Sequence, residues 1–211
     1  MTLTITPEDV LVVVDVQYDF LPGGNLAVAG GDEVVPLINA LAKKFKNVIL
    51  TQDWHPADHI SFASQHAGKA PFDTVDLDYG IQVLWPDHCV WQSHGAELSA
   101  DLDIPHAQLI IRKGFSRAID SYSGFQEADR QTVTGLAGYL NDRDAGRLFV
   151  TGLATDFCVA WTALDGAAAG FDVTVIEDAT RAIDSNGSLE KAWADLEEAG
   201  VERILSRELL G

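Results

Sequence analysis

Four side chains with chemical potential stand at or just beyond the ends of strand-like apolar runs. They are Asp15, Asp53, Lys113 and Cys158. In an open α/β sheet, parallel strands bring their carboxyl ends to one edge, and binding sites form beyond that edge. Two carboxylates, an ammonium and a thiol gathered there suit nucleophilic catalysis. The thiolate attacks, an acid carries the proton, and the cation favours the thiolate.

Cys158 lies seven residues into the stretch Thr151–Val159, which runs from a predicted strand into a predicted helix. With Thr155 as the N-cap, Cys158 falls in the first helical turn. The unpaired N–H groups and the helix dipole there would lower the pKa of the thiol. The same N–H groups could hold an oxyanion. Position alone is equally compatible with a buried, unreactive cysteine.

A pair of candidate metal ligands follows the second predicted strand. Asp53 and His55 are two residues apart on an extended segment, so their side chains point to the same side and can reach one metal ion. His59 and His88 are further candidate ligands. A set of histidines and carboxylates suits zinc, iron or manganese better than calcium or magnesium. By itself the Asp-x-His pair is a weak signal, and a loop without metal is the alternative.

The remaining loop features leave more than one interpretation open. The segment Leu21–Leu26 is glycine-rich, but it lacks the Lys-Ser/Thr of a phosphate-binding loop and the spacing of a dinucleotide site, so we interpret it as a turn. Phe20, Trp54 and Trp85 lie in loops around the predicted sheet edge. These aromatic residues could enclose a flat ring, or they could only pack the loops together.

The elements that would position these residues alternate between strand and helix. Six strands are predicted, namely Val10–Val14, Asn47–Thr51, Gln108–Arg112, Arg147–Thr151, Asp172–Ile176 and Val201–Leu205. Four helices are predicted, namely Asp32–Lys46, Thr132–Asn141, Thr155–Ala169 and Ser188–Ala199. This alternation predicts an α/β fold with a doubly wound, mostly parallel six-stranded sheet and helices on both faces. We expect one domain over residues 1–211, with an irregular, functional region at 54–107.

Charge and composition exclude several classes of partner. The 211-residue chain has 14 Lys and Arg against 32 Asp and Glu, a formal net charge of −18, and its only tight basic cluster is at 43–46. Nucleic acid and anionic membrane surfaces are therefore not expected as partners. Two cysteines form no secreted disulfide framework, and neither a signal peptide nor a membrane-spanning run is recognisable. We expect a cytoplasmic protein with a small-molecule substrate and leave open a homo-oligomer.

The combined motifs resemble the isochorismatase-like cysteine hydrolases, and among them the nicotinamidases. The resemblance covers nearly the whole chain in the family's order, through Asp15–Phe20, Pro22–Gly24, Leu26–Val28, Thr51–Pro56, Trp85–Val90, Arg112–Gly114, Tyr122–Phe125 and Gly152–Val159. Within the family, the Asp-x-His pair together with the Trp85–Cys89 segment distinguishes nicotinamidases from members without a metal.

The resemblance implies a role for each catalytic residue. Cys158 would be the nucleophile, Asp15 the general base and then the acid, and Lys113 the third member of the triad. The backbone amides of Ala154 and Cys158 would form the oxyanion hole. A cis peptide bond between Leu153 and Ala154 is typical of the family.

The resemblance also implies a metal site and a ring pocket. Asp53, His55 and His88 would bind one divalent metal ion, with zinc favoured over iron or manganese, and His59 lies near a position where some relatives place a further ligand. The ring pocket would be lined by Phe20, Trp85 and Tyr122. The sequence alone assigns no role to Cys89, which we expect to be a packed thiol beside a metal ligand.

The implied reaction is hydrolysis of nicotinamide to nicotinate and ammonia through a cysteine thioester, with the metal holding the pyridine nitrogen. It would serve NAD salvage and would extend to pyrazinamide. Three alternatives remain. The first is a family amidase acting on a carbamoyl or ureido compound, and the second is a hydrolase whose metal-bound water is the nucleophile. The third is a binding protein without activity, because a fold by itself proves no function.

Overall fold

The computed structural model describes residues 3–211. Its strands are β1 Val10–Val14, β2 Asn47–Asp53, β3 Thr74–Leu77, β4 Gly80–Val83, β5 Leu109–Lys113, β6 Arg147–Leu153, β7 Asp172–Arg181 and β8 Glu202–Ile204. Six of them form one sheet in the order β5-β2-β1-β6-β7-β8, and every neighbouring pair is parallel. The predicted six-stranded parallel sheet is therefore confirmed.

Helices cover both faces of this sheet. They are α1 Val34–Ala42, α2 Leu136–Asn141, α3 Ala160–Ala168, α4 Ser188–Glu198 and α5 Arg207–Leu210. Leu11 and Val13 of β1 belong to the apolar cluster that includes α1 and α5, whereas Val10, Val12 and Val14 belong to the cluster that includes α2, α3 and α4. Burial on both faces explains why β1 is apolar at every position. No helix within residues 3–211 combines the length and apolar character needed to cross a membrane.

The region predicted as irregular, 54–107, contains a β-hairpin, so that prediction was wrong for part of it. Strands β3 and β4 pair antiparallel and form a small sheet of their own. Most of their side chains are exposed or half-buried, so the sequence carries no buried apolar face with a period of two that would reveal the strands. Outside the hairpin, the region has short 3₁₀ turns at Ala63–Gln65 and His94–Ala96.

Several predicted element bounds also differ from the structure. Strand β7 continues to Arg181, beyond the predicted end at Ile176, after a register shift in its pairing with β6. Helix α2 begins only at Leu136, because Gly135 before it has a left-handed backbone with φ 95°. The predicted helix Thr155–Ala169 is divided into a π-helical turn and α3.

A glycine near the end of β6 allows β6 and β1 to approach closely. Gly152 has φ +108°, and a Cβ there would lie 2.0 Å from the carbonyl oxygen of Val14. We expect Gly152→Ala to lower the free energy of unfolding in urea by about 1–3 kcal/mol or more, because the strands must separate. Gly138→Ala is the control, since Gly138 is an exposed position of α2 where a Cβ would have nothing within 4 Å, so this variant should be more stable by about 0.5–1 kcal/mol. Equal shifts in the two variants would contradict this account.

Candidate active site

Lys113 contacts the other three of the four chemically active side chains that the sequence singled out. Its Nζ lies 2.8 Å from Oδ2 of Asp15 and 3.3 Å from Sγ of Cys158. It also contacts Oδ1 of Asp53. All four residues are buried, and they come from the ends of β1, β2 and β5 and from the turn after β6. The predicted convergence at one sheet edge is therefore present in the structure.

Asp15 is oriented by its neighbour on β2. Thr51 Oγ1 donates to Oδ1 of Asp15 at 2.6 Å and accepts the Asp15 N–H at 3.2 Å. Asp15 has a left-handed backbone with φ 47°, a conformation that costs a non-glycine residue about 1–3 kcal/mol and persists where the surroundings fix it. These contacts turn the other carboxylate oxygen, Oδ2, towards Lys113.

Cys158 lies in a π-helical turn, Thr155–Val159, rather than in the first turn of an α-helix. The prediction that Thr155 is the N-cap was wrong, because Ala154 takes that position and the Thr155 hydroxyl bonds Thr180 Oγ1 at 2.9 Å. π-helical turns are rare in proteins as a whole, but those that occur are often found at functional sites. This turn presents the sulfur at the edge of the parallel sheet, directly beside Lys113.

The backbone preceding Cys158 matches what the family resemblance implies. The peptide bond between Leu153 and Ala154 is cis. The Ala154 carbonyl accepts hydrogen bonds at 3.1 Å from the N–H groups of Phe157 and Val159, the two neighbours of Cys158. In the chain, the Cys158 amide therefore stands between two amides that both donate to the Ala154 carbonyl. The oxyanion hole of Ala154 and Cys158 remains a prediction.

The electrostatics correct one expectation about the thiol. Burial raises the pKa of Cys158 well above its usual range, although Lys113 lowers it, so the predicted low pKa was wrong. Burial also raises the pKa of Asp15, again against the opposing effect of Lys113. The pKa of Asp53 is lowered despite its burial, because Lys113 and His55 favour the carboxylate. A thiol whose carboxyl neighbour lies within reach is suited to proton transfer between the two.

Three predicted ligands form a compact buried cluster. Ligand atoms of Asp53, His55 and His88 all lie within 4.8 Å of one another. The Nε2 atoms of His55 and His88 are 3.6 and 3.8 Å from Oδ2 of Asp53. Each Nδ1 donates to a carbonyl oxygen at 2.8 Å, that of Gly114 for His55 and that of Pro86 for His88. Hydrogen bonds of this kind orient a histidine so that Nε2 is available to a metal.

This donor set fits a divalent metal ion. Its donors are imidazole nitrogens and a carboxylate, the ligands that zinc, iron and manganese accept. The buried carboxylates of Asp15 and Asp53 share a single ammonium, that of Lys113, so the site carries excess negative charge. A bound cation would offset that charge.

His59 belongs to a neighbouring cluster instead. Its Nδ1 lies 2.7 Å from Ser61 Oγ, and its Nε2 lies 3.2 Å from the carbonyl oxygen of Ile119. Its ring packs on His55, with 4.2 Å between the centroids, and burial lowers its pKa to about 4. Ligand atoms of His59, His55 and Asp120 lie within 4.8 Å of one another. As a ligand in the Asp53 set, His59 remains a prediction that requires its present hydrogen bonds to break.

A cavity opens directly onto Cys158 and the candidate metal ligands. All three predicted ring-contacting residues line it, namely Phe20, Trp85 and Tyr122. Trp54 is not among the lining residues, and the guanidinium of Arg112 lies 3.8 Å from the centroid of its ring.

Five lining residues were given no site role by the sequence reasoning, namely Leu26, Asp120, Ser121, Phe157 and Ile183. Phe157 directly precedes Cys158, and that adjacency is a usable signal. Asp120 and Ile183 stand in irregular segments and carry no such signal.

Two buried polar side chains that were given no role position the site. Gln17 accepts the Asp53 N–H at 2.7 Å and donates to the Asp53 carbonyl at 2.8 Å, so it fixes the backbone of that acid. Asp156 accepts the backbone N–H groups of Ile183 at 3.0 Å and Asp184 at 2.8 Å, and thereby holds Ile183 at the cavity. Both lie within the motifs quoted above, but their partners are distant in sequence.

Cys89 has the packed environment expected of it. Its side chain is fully buried, its Sγ lies 4.0 Å from the carbonyl oxygen of Gly95, and its backbone N–H donates to Asp19 Oδ2 at 2.7 Å. Burial raises the pKa of this thiol well above its usual range. The Asp19 contact ties the segment after β1 to the loop that carries His88.

Comparisons with a family profile and with known sequences point to the same protein family. The isochorismatase domain profile matches residues 9–208. The nicotinamidase of Acinetobacter baylyi is 60% identical over 200 residues, which cover 95% of this chain and 94% of that protein. The Escherichia coli nicotinamidase is 43% identical over 181 residues, 84% of each chain.

Solved structures agree with these sequence matches. The chain superposes on the Acinetobacter baumanii nicotinamidase/pyrazinamidase with a TM-score of 0.95 at 60% identity, covering 96% of this chain and 98% of that one. An L. infantum protein solved in complex with nicotinate gives 0.87 at 40% identity, with 99% and 98% covered. The Pyrococcus horikoshii pyrazinamidase, solved with zinc, gives 0.77 at 35% identity, with 94% and 99% covered.

Proposed function

The chain belongs to the isochorismatase domain family, and on that premise we propose that it is a nicotinamidase. It hydrolyses the carboxamide C–N bond of nicotinamide to nicotinate and ammonia. The observation that carries the proposal is the contact of Lys113 with both Asp15 and Cys158, at an aromatic cavity beside the cluster of Asp53, His55 and His88.

The first half of the reaction forms a thioester. As the sulfur of Cys158 attacks the carboxamide carbon, its proton passes to Asp15, a carboxylate oxygen of which lies within 4.8 Å of Sγ. Lys113 stabilises the negative charge on sulfur during the attack, since its Nζ is 3.3 Å away. The amides of Ala154 and Cys158 receive the oxyanion. Asp15 then protonates the leaving nitrogen, and ammonia departs.

The second half releases the acid. Asp15 removes a proton from water, and the resulting hydroxide attacks the thioester carbon. The C–S bond breaks, nicotinate forms, and the sulfur recovers a proton from Asp15. The same carboxyl group thus acts as base and as acid in both halves. The raised pKa of Asp15 suits this double role, because the group can both accept and hold a proton.

Asp53, His55 and His88 would hold one divalent metal ion, for which zinc is our first choice and iron or manganese the alternatives. A bound ion would act there as a Lewis acid towards the pyridine nitrogen and would thereby help to orient the ring. Phe20, Trp85 and the partly buried Tyr122 enclose the ring. Orientation of the carboxamide towards the sulfur in this way supplies near-attack geometry.

The wider setting follows from the same chemistry. Pyrazinamide differs from nicotinamide by one ring nitrogen, so we expect it to be a second substrate. Nicotinate production places the protein in NAD salvage, and we propose the cytoplasm as its compartment, with a small molecule as its partner. Assembly into a homo-oligomer stays open, and one domain over 1–211 stays a prediction.

The test is ammonia release from nicotinamide by the purified protein, before and after chelation. We expect activity with the metal present, a loss of about a hundredfold after chelation because the ring is no longer oriented, and recovery on addition of zinc. Parallel additions of iron and manganese identify the preferred ion. No ammonia from the metal-replete protein would refute the proposal and favour another small amide as the substrate.

A further inference from the structure

The hairpin β3–β4 has one fully buried side chain, that of Gln82, which is 2% exposed. A buried amide is costly unless its hydrogen bonds are satisfied. Gln82 Nε2 donates to Oδ2 of Asp120 at 2.6 Å and lies 3.1 Å from the hydroxyl oxygen of Tyr122. Both of these partners line the cavity beside Cys158. Gln82 therefore connects the hairpin to the lining of the proposed substrate site.

The contacts continue on both sides of Gln82. The Tyr79 hydroxyl donates to Gln82 Oε1 at 3.0 Å and accepts the backbone N–H of Asp120 at 3.3 Å. The indole N–H of Trp85 donates to the Tyr122 hydroxyl at 3.0 Å. One continuous hydrogen-bonded group thus connects five side chains, those of Tyr79, Gln82, Asp120, Tyr122 and Trp85. Two of its members are aromatic walls of the cavity.

We propose that Gln82 is a positioning residue that sets the separation and tilt of Trp85 and Tyr122, and with them the fit of the substrate ring. The proposal rests on the nicotinamidase function. Gln82 Nε2 also lies 2.6 Å from the Val83 carbonyl oxygen, so its two N–H bonds are shared among three acceptors. Two of these acceptors, Asp120 Oδ2 and the Tyr122 hydroxyl, belong to residues that line the cavity. None of its hydrogen bonds goes to Asp15, Lys113 or Cys158, so it acts on how the ring is held rather than on the bond-making groups.

Loss of the Gln82 amide is expected to affect KM more than kcat. Gln82→Leu replaces the amide with an apolar side chain of similar size and leaves Asp120 Oδ2 without its donor. We expect KM for nicotinamide to rise about fivefold to thirtyfold, the effect of one or two lost hydrogen bonds. We expect kcat to change less than about threefold, because interactions made equally with substrate and transition state enter KM. The measurement is steady-state ammonia release over a range of nicotinamide concentrations.

A reversal of donor and acceptor gives the sharper test. Gln82→Glu removes the donor and puts a second carboxylate against Asp120, so KM should rise at least as much as for Gln82→Leu. Adding Asp120→Asn restores a pair with reversed polarity, since the new amide can donate to the new carboxylate. We expect the double variant to recover most of the KM lost in Gln82→Glu. A merely structural role for Gln82 predicts no such recovery.

Controls separate this inference from hairpin damage and from the proposed function. Ile81→Thr changes the neighbouring residue of β4, which is 75% exposed, and should leave both constants near the wild-type values. If Gln82→Leu does not fold, as judged by thermal unfolding, the comparison of Gln82→Glu with its double variant decides the question. Unchanged KM in the folded Gln82 variants of an active enzyme overturns the inference alone. An inactive wild-type protein overturns the proposed function, and this inference with it.

Discussion

Cys158→Ala is expected to lower kcat/KM for nicotinamide by at least about a thousandfold, the scale seen when a covalent nucleophile is removed. The sulfur is the atom placed to attack, since it lies 3.3 Å from Lys113 Nζ and faces the same cavity as Phe20 and Trp85. Alanine leaves the metal ligands and the aromatic walls in place. Binding of nicotinate should therefore survive while ammonia release is lost. Ammonia assays and calorimetric titration with nicotinate measure the two quantities separately.

The chain supplies a matched control for this change. Cys89, the other cysteine of the sequence, is fully buried against Gly95 and has no contact with Lys113 among the hydrogen bonds of its side chain. Cys89→Ala should keep activity within a few fold of wild type, whatever it does to stability. If Cys158→Ala keeps much of its activity, the nucleophile is metal-bound water and the thioester mechanism is wrong.

The thioester itself can be detected in the wild-type protein. Hydroxylamine attacks a thioester faster than water does and would convert the acyl group to nicotinohydroxamate, with Cys158 released as the thiol. We expect hydroxamate from the wild type and none from Cys158→Ala. Direct attack of metal-bound water on the amide would give nicotinate without hydroxamate in both proteins.

The catalytic set could be predicted from sequence because the geometry of a parallel sheet determines it. Asp15, Asp53 and Lys113 each follow or end a strand whose apolar residues mark it unambiguously. Right-handed connections then bring those ends to one edge without knowledge of any loop. The same reasoning located Cys158, since β6 leads directly into the turn that carries it.

The rest of the site depends on contacts that no local pattern encodes. Gln82 lies on a hairpin between an exposed and a half-buried residue, and Ile183 is held at the cavity by Asp156, which stands far from it in the chain. The pKa of Cys158 was predicted in the wrong direction for a related reason. The helix terminus is a local feature, whereas the burial that raises the pKa is created by the whole fold.

A ligand role for His59 stays a prediction, because spacing in the sequence does not determine which atoms its ring nitrogens face. The sequence places it close to Asp53 and His55, and proximity in the chain suggested a shared metal. In the structure its two ring nitrogens face Ser61 and the Ile119 carbonyl oxygen. The partner of His59 Nε2 comes from the loop around Ile119. The spacing of the histidines in the sequence contains no information about where that loop lies.

Lys113→Met is expected to cost stability as well as activity. Lys113 is fully buried, and it is the cation between the carboxylates of Asp15 and Asp53. Its burial alone would lower its pKa, but those two carboxylates raise the pKa well above the usual range and keep the group charged. Removal of one partner of a buried ion pair typically costs about 3–5 kcal/mol, because an uncompensated charge is left behind. Urea unfolding of the chelated protein measures that loss.

Two further variants show whether the loss comes from the buried charges. Lys191→Met removes an exposed lysine that pairs with Asp195 on α4, and such pairs contribute less than about 0.5 kcal/mol. Adding Asp53→Asn to Lys113→Met removes one of the unpaired charges, so the double variant should be more stable than Lys113→Met alone. Lys113→Met and the double variant should both be inactive, because the thiolate that forms during attack has lost its cation. A double variant no more stable than the single one would mean that lost packing around the lysine stem, rather than repulsion between Asp15 and Asp53, destabilises the protein.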